Sequence, residues 1–363
     1  MAPMALTAGT DFRLPEYRRE VFLRFYQFHL KYRAHPGCVY YLMRYLPERL
    51  HWDTEQKLWF AFLNGNTQNP VTSLIIMQSF PRLDTTDIGA LKLWFDKNWH
   101  RLMWDTDRRH HKGVFIKVVE RYKQTLKGHA SQAEYFAAQM PGGEGENFQH
   151  LWSVVRSDKF YSFGRLSAFS YLEYLRIMGV PINCNDLFLE DMSGSQSHRN
   201  GLCIVLGRDG WDWHKSNPDF GGKYPEGAIK WLGIAAEGLM LEAKQRAKGT
   251  AWEYDTNYFT LESAFCTYKS WHRPNRRYPN VYNDMLYDRI QAAESRWLGD
   301  IDLEIFWDAR RACLPANLRL EDNPSDVGVK PRKQNHYLNT GQVIMMERDW
   351  PEFANDYAAL ITA

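Results

Sequence analysis

The run AWEYDTNYFTLESAFCTYKSWHRPNRR, residues 251–277, sets an acid, a helix and a basic cluster in line. Leu261, Phe265 and Tyr268 recur at helical spacing and define one apolar face. Ahead of them stand Asp255, Thr256 and Asn257, and behind them Lys269, His272, Arg273, Arg276 and Arg277. No Asp or Glu falls between Glu262 and Asp284. A carboxylate leading into a helix with cations close behind suits an enzyme that acts on a polyanion. It equally suits an ordinary capped helix with a solvated basic end, because Asp is a favoured cap and cations are favoured at helix C-termini. Glu262 is the reserve acid, with a solvated helix position as its ordinary reading.

The same period extends in both directions. Upstream, Pro225 opens an amphipathic helix carrying Ile229, Trp231, Leu232, Leu239 and Leu241, which Gly249 ends. Residues 207–224 are turn-rich and read as an inserted surface loop. Before it, a helix over 163–178 with Arg165 near its start is followed by a short helical piece at 186–192. A tight turn, Ser193-Gly194-Ser195-Gln196-Ser197, then leads into a helix from His198 to Leu206. Such a turn exposes backbone N–H groups at a helix start, which makes an anion site, and Arg199 lies just inside.

Nearer the N-terminus, Val21, Phe22, Phe25, Phe28 and Tyr32 mark a helix opened by Pro15. Asp53-Thr54-Glu55-Gln56 has the form of a capping box for a helix through Leu58, Trp59, Phe62 and Leu63. That helix is expected to break at Asn64-Gly65-Asn66-Thr67-Gln68-Asn69-Pro70. Asn and Gln in such a turn can reach base edges or fill the gap left by an extruded base; Asn, Gly and Thr are also simply good turn formers. Arg108, Arg109, His110, His111 and Lys112 form a basic patch. Helices are expected again over 279–298 and 301–313, with a linker at 323–333 and a short strand or edge helix at 342–346. The periodicity is helical throughout, so the fold class is all-α.

Composition narrows the functional classes. Aromatics make up 15% of the 363 residues, enough that many must be half-exposed and able to stack on ligands. The net charge of +2 excludes a global electrostatic grip on nucleic acid, so any such grip is local. Cys38, Cys184, Cys203, Cys266 and Cys313 form no zinc or iron–sulfur spacing and suit a reducing cytosol. The first twenty residues lack the form of a signal peptide, and no apolar run approaches membrane-spanning length. A soluble, cytoplasmic protein with no membrane partner is expected.

Three features fall in one order. Leu63-Asn64-Gly65-Asn66-Thr67 resembles the Leu-Ser-Gln-Thr turn of helix-hairpin-helix DNA glycosylases, Met192-Ser193-Gly194-Ser195-Gln196 resembles their hairpin, and Tyr254-Asp255-Thr256-Asn257-Tyr258 resembles their catalytic aspartate segment. Three departures stand out: Gln196 replaces the second hairpin glycine, the hairpin-to-aspartate distance is longer, and no iron–sulfur cysteines follow. Over residues 50–312 the chain is similar to a phage branch of that superfamily, the amino acid:DNA transferases, also described as α-glutamyl/putrescinyl thymidine pyrophosphorylases. The segments RNGL at 199–202, ESAFCTYKSW at 262–271 and RRYPNVYNDMLYDR at 276–289 carry that similarity.

The resemblance implies a helix-hairpin-helix glycosylase-like domain over 51–320 with an insertion at 207–250. A helical extension over 1–50 and a tail over 321–363 flank it. It implies a monomer acting in the host-cell cytoplasm on double-stranded DNA carrying 5-(pyrophosphoryloxymethyl)uracil. The amine of an amino acid or polyamine displaces pyrophosphate, giving a hypermodified thymine. Asp255 or Glu262 would handle the charge or proton of that step. Asn64, Asn66, Thr67, Gln68 and residues Ser193, Gly194, Ser195, Gln196 and Ser197 would contact DNA. Arg165, Arg199, Lys269, Arg273, Arg276 and Arg277 would hold phosphate or pyrophosphate. A divalent cation such as Mg2+ could share that charge, though no ligand cluster is evident. The donor is left open among glycine, serine, glutamate, ornithine and putrescine. The rival readings are a base-excision glycosylase and a non-catalytic DNA-binding protein. Ser197-His198 stands where bifunctional glycosylases place their Schiff-base lysine, which argues against lyase chemistry.

Overall fold

The computed structural model describes residues 15–33, 39–105, 112–191, 197–208, 211, 226–271, 281–316 and 319–322. Among the described residues the secondary structure is helical, with no strand. In chain order the helices are α1 (Pro15–Lys31), α2 (Tyr40–Arg49), α3 (Thr54–Thr67), α4 (Pro70–Ser79), α5 (Ile88–Asn98), α6 (Lys112–Thr125) and α7 (Gln132–Ala138). They continue as α8 (Glu144–Val155), α9 (Arg165–Ile177), α10 (Ser197–Val205), α11 (Ala228–Ala247), α12 (Tyr258–Trp271), α13 (Val281–Trp297) and α14 (Glu304–Cys313). The all-α class expected from periodicity is observed. The chain divides into two compact units, one of residues 1–36, 186–285 and 313–363, the other of 37–185 and 286–312.

The first unit packs α1 and α10 against α12, with α11 alongside. Its core is aromatic: Phe22 of α1 stacks on Phe265 of α12 at 4.7 Å between centroids, and Tyr268 meets Phe22 edge-on at 5.3 Å. Such pairs add about 0.5–1.5 kcal/mol each beyond their buried area. Gly201 sets the spacing of α10 and α12, since a Cβ there would lie 2.1 Å from the Phe265 carbonyl oxygen. A charged network ties α1 to α11. Arg24 Nε lies 2.6 Å from Glu20, Arg246 bridges Glu20 at 2.7 Å and Glu242 at 2.6 Å, and Arg19 meets Glu242 at 2.7 Å.

The second unit is built around α3, which packs on α4, α7 and α9. The capping box is present as expected: Asp53 Oδ1 accepts from Gln56 N at 2.9 Å, and Gln56 Oε1 accepts from Asp53 N at 3.1 Å. Phe62 stacks on Tyr122 at 3.9 Å and meets Tyr171 edge-on. The Glu55 carboxylate accepts from the backbone N–H groups of Gln132 and Ala133 and so caps α7, a helix that periodicity did not reveal. Arg101 donates to the carbonyls of Arg296 and Trp297, capping the C-terminus of α13, and its guanidinium lies 3.9 Å above the Trp297 ring.

Two expectations are corrected. The amide-rich segment does not break the helix at Asn64; α3 runs through Thr67, and the reversal is confined to Gln68, at φ 54, and Asn69. The reason is packing: at Gly65 a Cβ would sit 2.9 Å from the Cβ of Tyr171, so this turn of α3 is pressed against α9. Residues 186–191 are not helical either. Asp186 Oδ1 accepts from Phe188 N at 3.0 Å, an Asx turn that competes with the helix, and Phe188 takes φ 49.

Candidate active site

The approach to α12 is locked by backbone contacts. Gly249, at φ 75, ends α11, and Glu253 Oε2 accepts from its N–H at 2.7 Å. Asp255 N donates to Trp252 O at 3.1 Å, and Thr260 Oγ1 donates to Asp255 O at 2.6 Å. Tyr26 of α1 closes the same knot, 2.6 Å from Thr260 Oγ1 and donating to Asn257 O at 3.2 Å. The N-cap of α12 is Asn257, not Asp255: its Oδ1 accepts from Phe259 N at 3.0 Å and Thr260 N at 3.3 Å. The ordinary reading of Asp255 as a helix cap is therefore replaced. Asp255 is a buried acid, 3% exposed, on a rigid support.

Beyond Asp255, α12 meets α10 along a seam. Glu262 faces His198, with Oε1 3.5 Å from Nδ1, and the two side chains are 6% and 1% exposed. Two turns further along α12, Lys269 Nζ donates to Ser197 Oγ at 2.9 Å, at the half-buried start of α10. The acid and the cation of α12 thus meet consecutive residues of α10. Gly201 and Phe265 hold the helices in close contact one turn on. Also within this unit, Arg199 is fully buried and its guanidinium donates to the Leu189 carbonyl, so it faces the interior of the fold.

The amide segment belongs to the second unit. Asn64, Asn66 and Thr67 are fully buried. Asn66 Nδ2 donates to Phe62 O at 2.7 Å, Thr67 Oγ1 lies 2.7 Å from Ser73 Oγ, and Asn64 Oδ1 accepts from Ser73 Oγ at 3.3 Å. Gln68 alone of the four is half-buried; its amide donates to Gly65 O at 3.2 Å and accepts from Tyr174 at 3.4 Å. A clamp that sequence reasoning missed holds this turn. Asp105 N donates to Thr67 O at 3.0 Å, and the Asp105 carboxylate takes Asn69 Nδ2 at 3.3 Å and Arg289 Nε at 3.0 Å. Arg289 and Asp105 lie far apart in sequence, and no local pattern joins them. Arg165 is buried at the start of α9, its guanidinium 5.9 Å from the Phe169 ring centre.

Ser193, Gly194, Ser195, Gln196, Arg273, Arg276 and Arg277 lie outside the described residues. Among the described residues no three His, Cys, Asp or Glu side chains gather as they would around a metal ion. No described helix is long and apolar enough to cross a membrane.

A family model described as amino acid:DNA transferase matches residues 39–277 of the chain. The chain is also similar to a serinyltransferase of Salmonella phage ViI, at 28% identity over 303 residues, which cover 79% of this chain and 71% of that protein. No solved structure matches it.

Proposed function

The chain belongs to the amino acid:DNA transferase family, and from that membership we propose that it displaces pyrophosphate from 5-(pyrophosphoryloxymethyl)uracil in double-stranded DNA with the amine of a free amino acid. Serine is the first donor to test, since a similar phage protein is named a serinyltransferase. The observation that carries the reading is Asp255: a buried acid fixed through its own backbone and relieved of capping by Asn257.

The reacting carbon is the methylene on C5 of a pyrimidine. Extruding that base costs a few kcal/mol of unstacking. In this reading Gln68, half-buried at the α3 turn, faces the DNA, while Asn64, Asn66 and Thr67 hold the turn from within. Pyrophosphate departs with the electron pair of its C–O bond. Lys269, together with Arg273, Arg276 and Arg277 of the same basic run, neutralises that charge as it develops. Asp255 stabilises the cationic character left on the methylene. The protein acts on one DNA site as a monomer.

Incubation with 5-(pyrophosphoryloxymethyl)uracil duplex and serine, digestion to nucleosides and mass spectrometry test the reading. A nucleoside heavier by the serinyl group is expected, with one pyrophosphate released per transfer. Abasic sites would replace this reading with a glycosylase. Binding without a new nucleoside would reduce the protein to a DNA-binding module.

A further inference from the structure

We propose that Arg208, Trp211 and Trp231 form a DNA-phosphate contact on the first unit: the guanidinium takes a phosphodiester of the duplex flanking the modified base, and the two indoles hold it in place. The inference rests on the reading that the protein acts on DNA. It adds a grip remote from the reacting carbon.

The cluster stands where the chain leaves α10. Gly207, at φ 65, turns the backbone there. Arg208 N donates to Cys203 O at 2.8 Å, and Trp211 N donates to Arg208 O at 2.8 Å, so both residues are fixed on the end of that helix. Trp211 is half-buried against the core of the unit, whereas Trp231, in the first turn of α11, is 39% exposed. The two rings meet edge to face at 5.4 Å. The Arg208 guanidinium lies 5.4 Å from the Trp211 ring centre and 5.3 Å from that of Trp231, within cation–π reach of both.

The N–H groups set Arg208 apart from the other arginines. Arg101 also stacks on an indole, yet it donates to the Arg296 and Trp297 carbonyls and pairs with Asp300. Arg18 and Arg199 donate to the Ile204 and Leu189 carbonyls. Arg208 is exposed, and among the described residues its guanidinium makes no hydrogen bond or ion pair. A guanidinium presents five N–H donors in a planar fork that matches phosphate oxygens. The rings hold the group and leave that fork open. Lys230, exposed and next to Trp231, adds a cation at the same end of α11. The sequence also sets Asp209 and Asp212 near Arg208, outside the described residues, and pairing with one of them is the rival use of the guanidinium.

The position decides which phosphate is meant. About 24 Å of helix separates Trp231 from Ala247, and the turn carrying Asp255 follows the Ala247 end. At 3.4 Å per base step that length corresponds to roughly seven steps. The contact therefore belongs to flanking duplex rather than to the modified nucleotide.

The test is DNA binding by fluorescence anisotropy over a range of KCl concentrations, with melting temperatures alongside. Two duplexes carry one central 5-(pyrophosphoryloxymethyl)uracil. One has arms of about 15 base pairs, and the other is a hairpin duplex with arms of about four, shorter than the separation above. On the long duplex, Arg208→Gln is expected to bind about 10-fold more weakly at low salt. Its slope of log K against log salt should be shallower by about 0.9, the share of one phosphate. Arg208→Lys should keep the slope, and Trp231→Leu should weaken binding a few-fold by releasing the guanidinium. On the short duplex, Arg208→Gln and the unaltered protein should bind alike. An unchanged slope in Arg208→Gln, with or without a lower melting temperature, overturns the proposal and returns the guanidinium to the loop. An equal loss on both duplexes overturns the assignment to flanking DNA. Binding by the unaltered protein without transfer leaves this contact standing and overturns the transfer reading, whereas failure to bind DNA at all overturns both.

Discussion

At the scale of single residues, burial sorts side chains that look alike in sequence. Asp255 and Asn257 both precede α12, yet Asn257 caps it, and Asp255 is held beside it by Thr260 and Trp252. Asp255→Asn changes little in shape. It is therefore expected to lower transfer by at least about 100-fold, the scale of removing one electrostatic group from a transition state, while DNA binding in a gel-shift assay persists. Unchanged turnover would remove Asp255 from the mechanism. The amide segment offers a second contrast. Asn66→Ala strips the Phe62 carbonyl of its side-chain donor in a fully buried site and is expected to cost about 1–3 kcal/mol in urea unfolding. Gln68→Ala, at a half-buried position, should change stability far less and weaken DNA binding more.

At the scale of elements, the α10–α12 seam depends on one glycine. Gly201→Ala sets a methyl against the Phe265 carbonyl, which belongs to the backbone and cannot swing aside. Overpacking of this kind costs about 1–3 kcal/mol, so a lowered urea midpoint is expected, with transfer falling further as Glu262 and Lys269 lose register with His198 and Ser197. Elements of this type were partly legible in the sequence. The α1, α3 and α12 faces follow from apolar spacing, and the Asp53–Gln56 box from four adjacent residues. The end of α3 is not legible locally, because Asn, Gly and Thr favour turns in isolation, whereas Tyr171 of α9 holds that turn helical. Residues 186–191 depart from local expectation in the opposite sense, since an Asx turn at Asp186 overrides local apolar content. Within the candidate site, Asp255 and Glu262 could be picked out as acids on a helical segment. Their partners could not: His198–Glu262, Ser197–Lys269 and Arg289–Asp105 join residues from distant elements. Only the folded chain brings those together.

At the scale of the molecule, the two units meet pH limits from opposite ends. In the first, burial pushes the Glu20 carboxyl up, but hydrogen bonds from Arg246 and Arg24 outweigh it and hold the group below the usual carboxylate range. Glu242 is lowered in the same way by Arg246 and Arg19. Carboxylates depressed in the folded state stabilise it above their unfolded value of about 4.3, and that stability fades as pH falls through the lower folded value. In the second unit, Asp53 is also lowered, its burial outweighed by the Gln56 N–H and Arg82, but it is largely exposed and solvent screens its contribution. The buried tyrosines dominate there instead. Burial raises Tyr122 and Tyr171 far above their ordinary range and pushes Tyr135 to about 12. A phenol raised in the folded state stabilises it fully below about 10, and the benefit is lost as pH climbs towards the folded value. Hydrogen exchange followed across pH should therefore show protection lost first from α1 and α11 on acidification and first from α6 and α9 under alkali. Arg246→Met should lower stability at pH 7 and flatten the acid limb, because Glu20 then has less to lose on protonation. Tyr171→Phe should leave the acid limb alone and flatten the alkaline one. Parallel loss of protection in both units at both extremes would show instead that other groups set the pH limits.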